Sequence, residues 1–161
     1  MIQLEKFNPI NSEKLISWID TEEFLMQFAG PSLSFPLTSE QLNKSLSDTN
    51  RFAFQAMESA SGAVIGYCEI FLTGNSALLG RILIGDPGFR SKGFGKIIVN
   101  QLICYAYETL QQTAIELNVF DWNIPAINCY KKCGFVLNPD KKSVREINGK
   151  TWIALNMILA K

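Results

Sequence analysis

Arg90-Ser91-Lys92-Gly93-Phe94-Gly95 stands between an apolar run, Leu78 to Ile84, and an apolar-periodic stretch, Ile97 to Leu110. The run has the length of a strand and the stretch has helical spacing, so these six residues read as a strand-to-helix turn carrying two cations and two glycines. Backbone N–H groups at a helix start lack intrahelical acceptors and favour anions, and a glycine lets main chain approach a pyrophosphate with no Cβ in the way. The turn therefore points to an anionic ligand.

Downstream of the helix, Ile115 to Phe120 has strand character, and the order strand, helix, strand implies two adjacent parallel strands joined by a right-handed crossover. Upstream, Phe52, Phe54 and Ala56 alternate with polar residues, Ser61-Gly62 turns the chain, and Val64 to Leu72 returns as the second arm of an antiparallel hairpin. Ile2 to Phe7 is a first strand ending at Asn8-Pro9. A helix starts near Asn11 or Ser12, Glu22 to Phe28 forms a second helical piece, and Thr38 caps a third over Ser39 to Leu46. Pro31 to Thr38 between them reads as irregular and mobile. Past Asp121 to Asn123, Pro125 suits the first turn of another helix, which Gly134 stops. Phe135 to Leu137 is a short strand, and Asn148-Gly149 joins Lys141 to Ile147 with Thr151 to Leu159 as a hairpin. Six or seven strands and three or four helices follow, in one mixed α/β sheet spanning residues 1–161 as a single domain.

Composition narrows the chemistry. The chain has 15 basic and 15 acidic side chains, so no large field favours nucleic acid or an anionic membrane surface. No signal-peptide pattern opens it and no apolar run approaches a membrane span, which makes the cytoplasm the expected compartment. There is no histidine, which excludes Ser-His-Asp and Cys-His relays and any histidine-based zinc site. Cys68, Cys104, Cys129 and Cys133 lack the paired spacing of a structural zinc site, so no metal is expected, and they read as reduced, mostly buried thiols.

The Arg90 to Gly95 run resembles the acyl-CoA pyrophosphate loop of the GCN5-related N-acetyltransferase (GNAT) family, whose pattern is Arg or Gln, two variable residues, Gly, any residue, then Gly or Ala. Its context resembles the family too: a strand ending at Ile84-Gly85-Asp86-Pro87 precedes it, an amphipathic helix follows, and Asn123, Ala126, Tyr130, Gly134 and Phe135 match the family's second motif. The resemblance covers Phe52 to Leu137 and implies a mostly antiparallel sheet whose two central parallel strands splay apart. It implies acetyl-CoA as cosubstrate, direct acetyl transfer to a primary amine (a protein N terminus, a lysine, a polyamine or a small-molecule amine), and a monomer or homodimer. A noncatalytic acyl-CoA sensor or assembly module is the alternative.

On this resemblance Arg90, Ser91, Lys92, Gly93, Phe94 and Gly95 hold the phosphates, while backbone around Ile82, Leu83 and Ile84 pairs with the CoA arm and polarises the thioester carbonyl. Lys96, at the helix start, either adds its charge to the phosphate site or faces water. Asn123 holds the arm or the turn beside it. Tyr130 sits near the sulfur and protonates the departing thiolate, since a phenol is neutral at physiological pH. Acyl transfer also requires a neutral amine, and Glu69 is the nearest acidic candidate to accept its proton, with Glu116, Asp121 or water as competitors and a solvent-facing Glu69 that serves only solubility as the other reading. Many family members carry a glutamate on the strand that here holds Arg81. An acyl-cysteine route through Cys129 or Cys133 lacks an activating histidine. Acceptor selection falls to Phe24 to Leu37 and the Ile147 to Trp152 hairpin, although Trp18, Phe24, Phe28 and Phe35 read better as core anchors.

Overall fold

Strand β1 (Ile2–Lys6) lies antiparallel to β2 (Arg51–Glu58), β2 to β3 (Ala63–Leu72), and β3 to β4 (Ala77–Ile84). The computed structural model describes residues 1–160. Beyond β4 the sheet continues with β5 (Ile115–Phe120) in parallel, then antiparallel with β7 (Lys150–Leu159) and β6 (Phe135–Ile147), giving the order β1-β2-β3-β4-β5-β7-β6. This is the mostly antiparallel mixed sheet that the resemblance implies, with the crossover pair at its centre.

Alternation along the strands divides the core into two layers. Cys68 and Ile70 face one side, where α4 (Phe94–Glu108) contributes Ile98, Val99, Leu102 and Ala106 and α5 (Ile124–Lys132) contributes Ile127. Tyr67 faces the other, against Leu15 of α1 (Ser12–Trp18), Leu25 and Phe28 of α2 (Glu22–Ala29), and Leu42 of α3 (Ser39–Leu46). Burying a side chain of this size contributes about 1.5–3 kcal/mol, so the α4 stripe alone anchors the helix that follows the glycine turn. Among the described residues no helix is long and apolar enough to cross a membrane.

The helix ends obey local chemistry. Thr38 Oγ1 accepts from the Gln41 N–H at 3.2 Å, as its position before the α3 pattern implies, and Thr21 does the same for Phe24 at 3.0 Å. Asn148 and Gly149 both adopt positive φ, the requirement of a tight two-residue hairpin turn.

Several expectations need correction. Phe135 to Leu137 and Lys141 to Ile147 are one strand, β6, whose register against β7 shifts between Asn138 and Lys142, so an irregularity conceals the continuity. Pro31 to Thr38 is irregular but tied down: Gln41 accepts from the Ser34 N–H at 2.8 Å and donates to the Ser34 and Pro36 carbonyls at 3.0 Å each. Only Cys68 of the four free thiols is buried; Cys104 is exposed on α4, because helical position and not local hydrophobicity decides which face is covered. Phe35 is also exposed, whereas Phe28 is buried and Trp18 and Phe24 are half-buried. Trp18 explains Gly85: a Cβ there would enter the indole ring.

Candidate active site

The parallel pair at the sheet centre is short. Ala77, Leu78 and Leu79 pair with Ile115, Glu116 and Leu117, after which β4 and β5 part. The cause lies in β4, where Arg81 takes a positive φ of 48° and the register with β3 jumps from Glu69 opposite Gly80 to Tyr67 opposite Leu83. An extra residue in one strand bends it and ends its pairing. A cavity of about 350 Å³ opens at this place, walled by Phe24, Met26 to Ser32, β4, Asn118 to Phe120, the start of α5 and residues of β6 and β7.

Of the residues singled out from sequence, Glu69, Ile82, Leu83, Asn123 and Tyr130 line this cavity together. Ile84 and Arg90 to Lys96 do not line it. The turn instead follows directly from β4 through a short 3-10 segment, Pro87–Phe89, and opens α4. Gly93 is the N-cap residue with φ +81°, and no side chain accepts from the first-turn N–H groups, which leaves those donors available to a ligand. A Cβ at Gly93 would meet nothing within 4 Å, so the approach is open. Main-chain donors, a clear approach and the exposed Lys92 and Lys96 fit an anionic phosphate. Arg90 behaves differently: its Nε donates to the Ile84 carbonyl at 2.8 Å and its guanidinium to the Gly85 carbonyl at 3.1 Å, bracing the end of β4.

Tyr130 projects from α5 beside Phe135, with ring centroids 6.3 Å apart. Burial raises its phenol above the ordinary tyrosine value, with smaller contributions in the same direction from Cys129 and Cys133, so it stays protonated. Burial also lifts Cys129, and Cys133 is pushed up to about 11 by burial and by its neighbour, which makes both poor nucleophiles. Asn123 is the N-cap of α5, its Oδ1 accepting from the Ala126 N–H at 3.4 Å.

Glu69, which lines the same cavity as Tyr130, is buried rather than solvent-facing, and both of its oxygens are engaged. Arg51 donates to one; Arg81 donates to the other at 3.1 Å, as does the Tyr67 hydroxyl at 2.5 Å. Burial, followed by the Glu69 charge and hydrogen bond, holds the Tyr67 phenol well above its usual value. Arg81 donates further to Ser45 of α3 at 2.7 Å and to Ser32 at 3.1 Å, tying the α2 and α3 region to the bulge. Sequence reasoning registered Arg81 only as an absent acid and missed Arg51, Asn118 and Arg145, which also line the cavity. No local pattern marks them, because strand register and the bulge bring them together. Asn118 is positioned by buried Asn156, whose amide donates to it at 2.9 Å.

The other carboxylates lie elsewhere. Glu116 accepts from Ser76 and Lys141 at 2.7 Å each and does not line the cavity. Asp121 is exposed. Among the described residues, no group of three or more Cys, Asp or Glu side chains gathers to hold a metal ion.

Comparison with known proteins places this chain in a family. The model of the acetyltransferase (GNAT) family matches residues 14–135. A spermidine N(1)-acetyltransferase from Vibrio cholerae is 30% identical over 111 residues, covering 68% of this chain and 63% of that protein. An N-acetyltransferase 9-like protein from Caenorhabditis elegans is 24% identical over 144 residues, covering 80% of this chain and 71% of its own. Among solved structures, the Vibrio cholerae spermidine N-acetyltransferase in complex with CoA and spermine superposes with a TM-score of 0.79 at 25% identity, covering 98% of this chain and 94% of that one.

Proposed function

The chain belongs to the acetyltransferase (GNAT) family, and we propose that it moves an acetyl group from acetyl-CoA directly to a primary amine: a protein N terminus, a lysine, a polyamine or a small-molecule amine. Spermidine is the acceptor named for the Vibrio cholerae relative, and it enters here as one member of that set. The observation that carries the reading is the cavity where β4 and β5 part, lined by both neutral Tyr130 and Glu69.

In this reading the first turn of α4, from Gly93 onward, receives the pyrophosphate on main-chain N–H groups, with Lys92 and Lys96 adding charge. Arg90 holds the loop against the end of β4. The freed edges of Ile82 and Leu83 offer main-chain groups to the CoA arm, and a donor there polarises the thioester carbonyl as charge develops on its oxygen. The amine attacks only when neutral. Its proton reaches Glu69 by displacing one of the donors that engage that carboxylate, or it passes to water. When the carbon–sulfur bond breaks, the Tyr130 hydroxyl supplies a proton to the leaving thiolate.

Tyr130→Phe tests this assignment, because it keeps the ring packing and removes the hydroxyl. Single-turnover acetyl transfer at saturating amine should slow by roughly tenfold or more, with acetyl-CoA affinity little changed. Transfer at the parental rate would make Tyr130 a packing residue. Engagement of Glu69 by Arg51, Arg81 and Tyr67 favours the second reading, a noncatalytic acyl-CoA sensor. That reading requires the parental protein to bind acetyl-CoA and show no amine-dependent turnover.

A further inference from the structure

Four charged side chains line the cavity, and three are guanidinium groups: Arg51, Arg81 and Arg145 stand against the single carboxylate of Glu69. Three cations minus one anion leaves an excess of two positive charges on one wall system. Glu69 is already shared by Arg51 and Arg81, so it has nothing left for Arg145. Half-buried Arg145 donates only to the neighbouring Val144 carbonyl, at 3.1 Å, and pairs with no carboxylate among the described residues. Arg51 has an unmet demand of its own: its Nε is buried and finds no acceptor among the described residues. The remaining polar wall, including Ser32, Asn118 and Ser143, is neutral.

A half-buried guanidinium beside an excess of positive charge gains from a compensating anion, and its planar fork matches carboxylate and phosphate oxygens. A polyamine would instead carry further cations to a wall that already holds too many, with no free carboxylate to receive them. We propose that the acceptor is an amine that also bears an anionic group, a carboxylate or a phosphate, which Arg145 holds during acetyl transfer. This deepens the transfer reading and rests on it for the role of the amine. Arg145 lies on β6 directly across from Trp152 of β7, which packs with Phe120 and Trp122 at centroid distances of 5.0 and 5.1 Å. An anion arriving at Arg145 is therefore within reach of an intrinsic fluorescent reporter.

The test uses the full chain saturated with acetyl-CoA and matched amines: 4-aminobutyrate against 4-aminobutanamide, phosphoethanolamine against ethanolamine, and spermidine. With kcat/KM expressed per free amine, an anionic member should exceed its neutral partner and spermidine by at least about tenfold, the size of one charge-assisted contact. The pair showing the preference tells carboxylate from phosphate. Arg145→Gln should collapse that ratio to within about threefold, and Arg145→Lys should restore part of it, since charge returns without the fork. Equal rates within both pairs, or a preference for spermidine, overturns the proposal. A second readout separates it from the transfer reading: inorganic phosphate and acetate are titrated into the CoA-loaded protein while tryptophan fluorescence is followed. If no amine is acetylated, transfer fails, yet a saturable response to either anion that Arg145→Gln abolishes supports the anion site. No saturable response in either arm overturns it.

Discussion

The Arg90 to Gly95 turn and the cluster around Glu69 both concentrate positive charge, by opposite means. The turn uses six consecutive residues, exposes its cations, and offers main-chain N–H groups at the start of α4. The cluster draws Arg51, Glu69 and Arg81 from three strands, buries the carboxylate completely, and works entirely through side chains. A contiguous, solvated site needs only local backbone geometry, so its cost is small and its substitutions should act on ligand affinity. A buried, assembled site is part of the fold, and its substitutions should act first on stability.

The sharpest way to break that contrast is Glu69→Gln. Removing the charge leaves two guanidinium groups without a compensating anion, which should destabilise the fold by about 3–5 kcal/mol, read from urea unfolding. Parental stability would mean that the arginines find solvent and that the cluster is not structural. A pH–rate profile on whatever folded protein survives adds the catalytic question: loss of turnover at low pH, recovering as the free amine rises, assigns proton transfer to Glu69, whereas a parental profile assigns it to water.

Gly93→Val probes the other region. A β-branched residue at φ +81° is strained by about 1–2 kcal/mol, and its side chain would project into the open space beside the turn. CoA affinity should fall by roughly tenfold or more, with the far-ultraviolet spectrum unchanged. Unaltered affinity in a folded variant would remove the turn from the binding site.

The smallest effect sharpens the distinction between buried and solvated charge. Burial alone pushes the Glu116 carboxyl up, but hydrogen bonds from Lys141 and Ser76, the Lys141 charge and the Asn156 amide outweigh it, leaving it below the ordinary value. A carboxyl depressed in the folded state stabilises above its unfolded pKa, and that contribution disappears as pH falls through the folded one. Lys141 is 58% exposed, so Lys141→Met should cost less than about 1 kcal/mol at neutral pH and move the acid limb of the stability curve upward. A loss comparable to that of Glu69→Gln would show that solvent exposure does not separate the two classes.

The same contrast explains what was legible. Thr38 as a cap, the β5 limits and the Asn148-Gly149 turn followed from residues adjacent in the chain, and so did the glycine turn at the start of α4, because capping, periodicity and positive φ are local demands. The continuity of β6 was hidden by its register shift, and the exposure of Cys104 by the fact that a hydrophobic helix does not announce which side is covered. Arg81 is the instructive case. As a residue in a strand it looked like a missing carboxylate; in the fold its positive φ bends β4 away from β5 while its guanidinium reaches Glu69, Ser45 and Ser32.

By itself the sequence determined the order of elements, the crossover at the centre of the sheet and the glycine turn that opens α4, each the outcome of interactions within a few residues. Only the tertiary structure decided where β4 and β5 separate and which charges face the cavity between them. A bulge's effect on pairing depends on its neighbouring strands, and the net charge of a wall built from residues 51, 69, 81 and 145 exists only once those strands are in register.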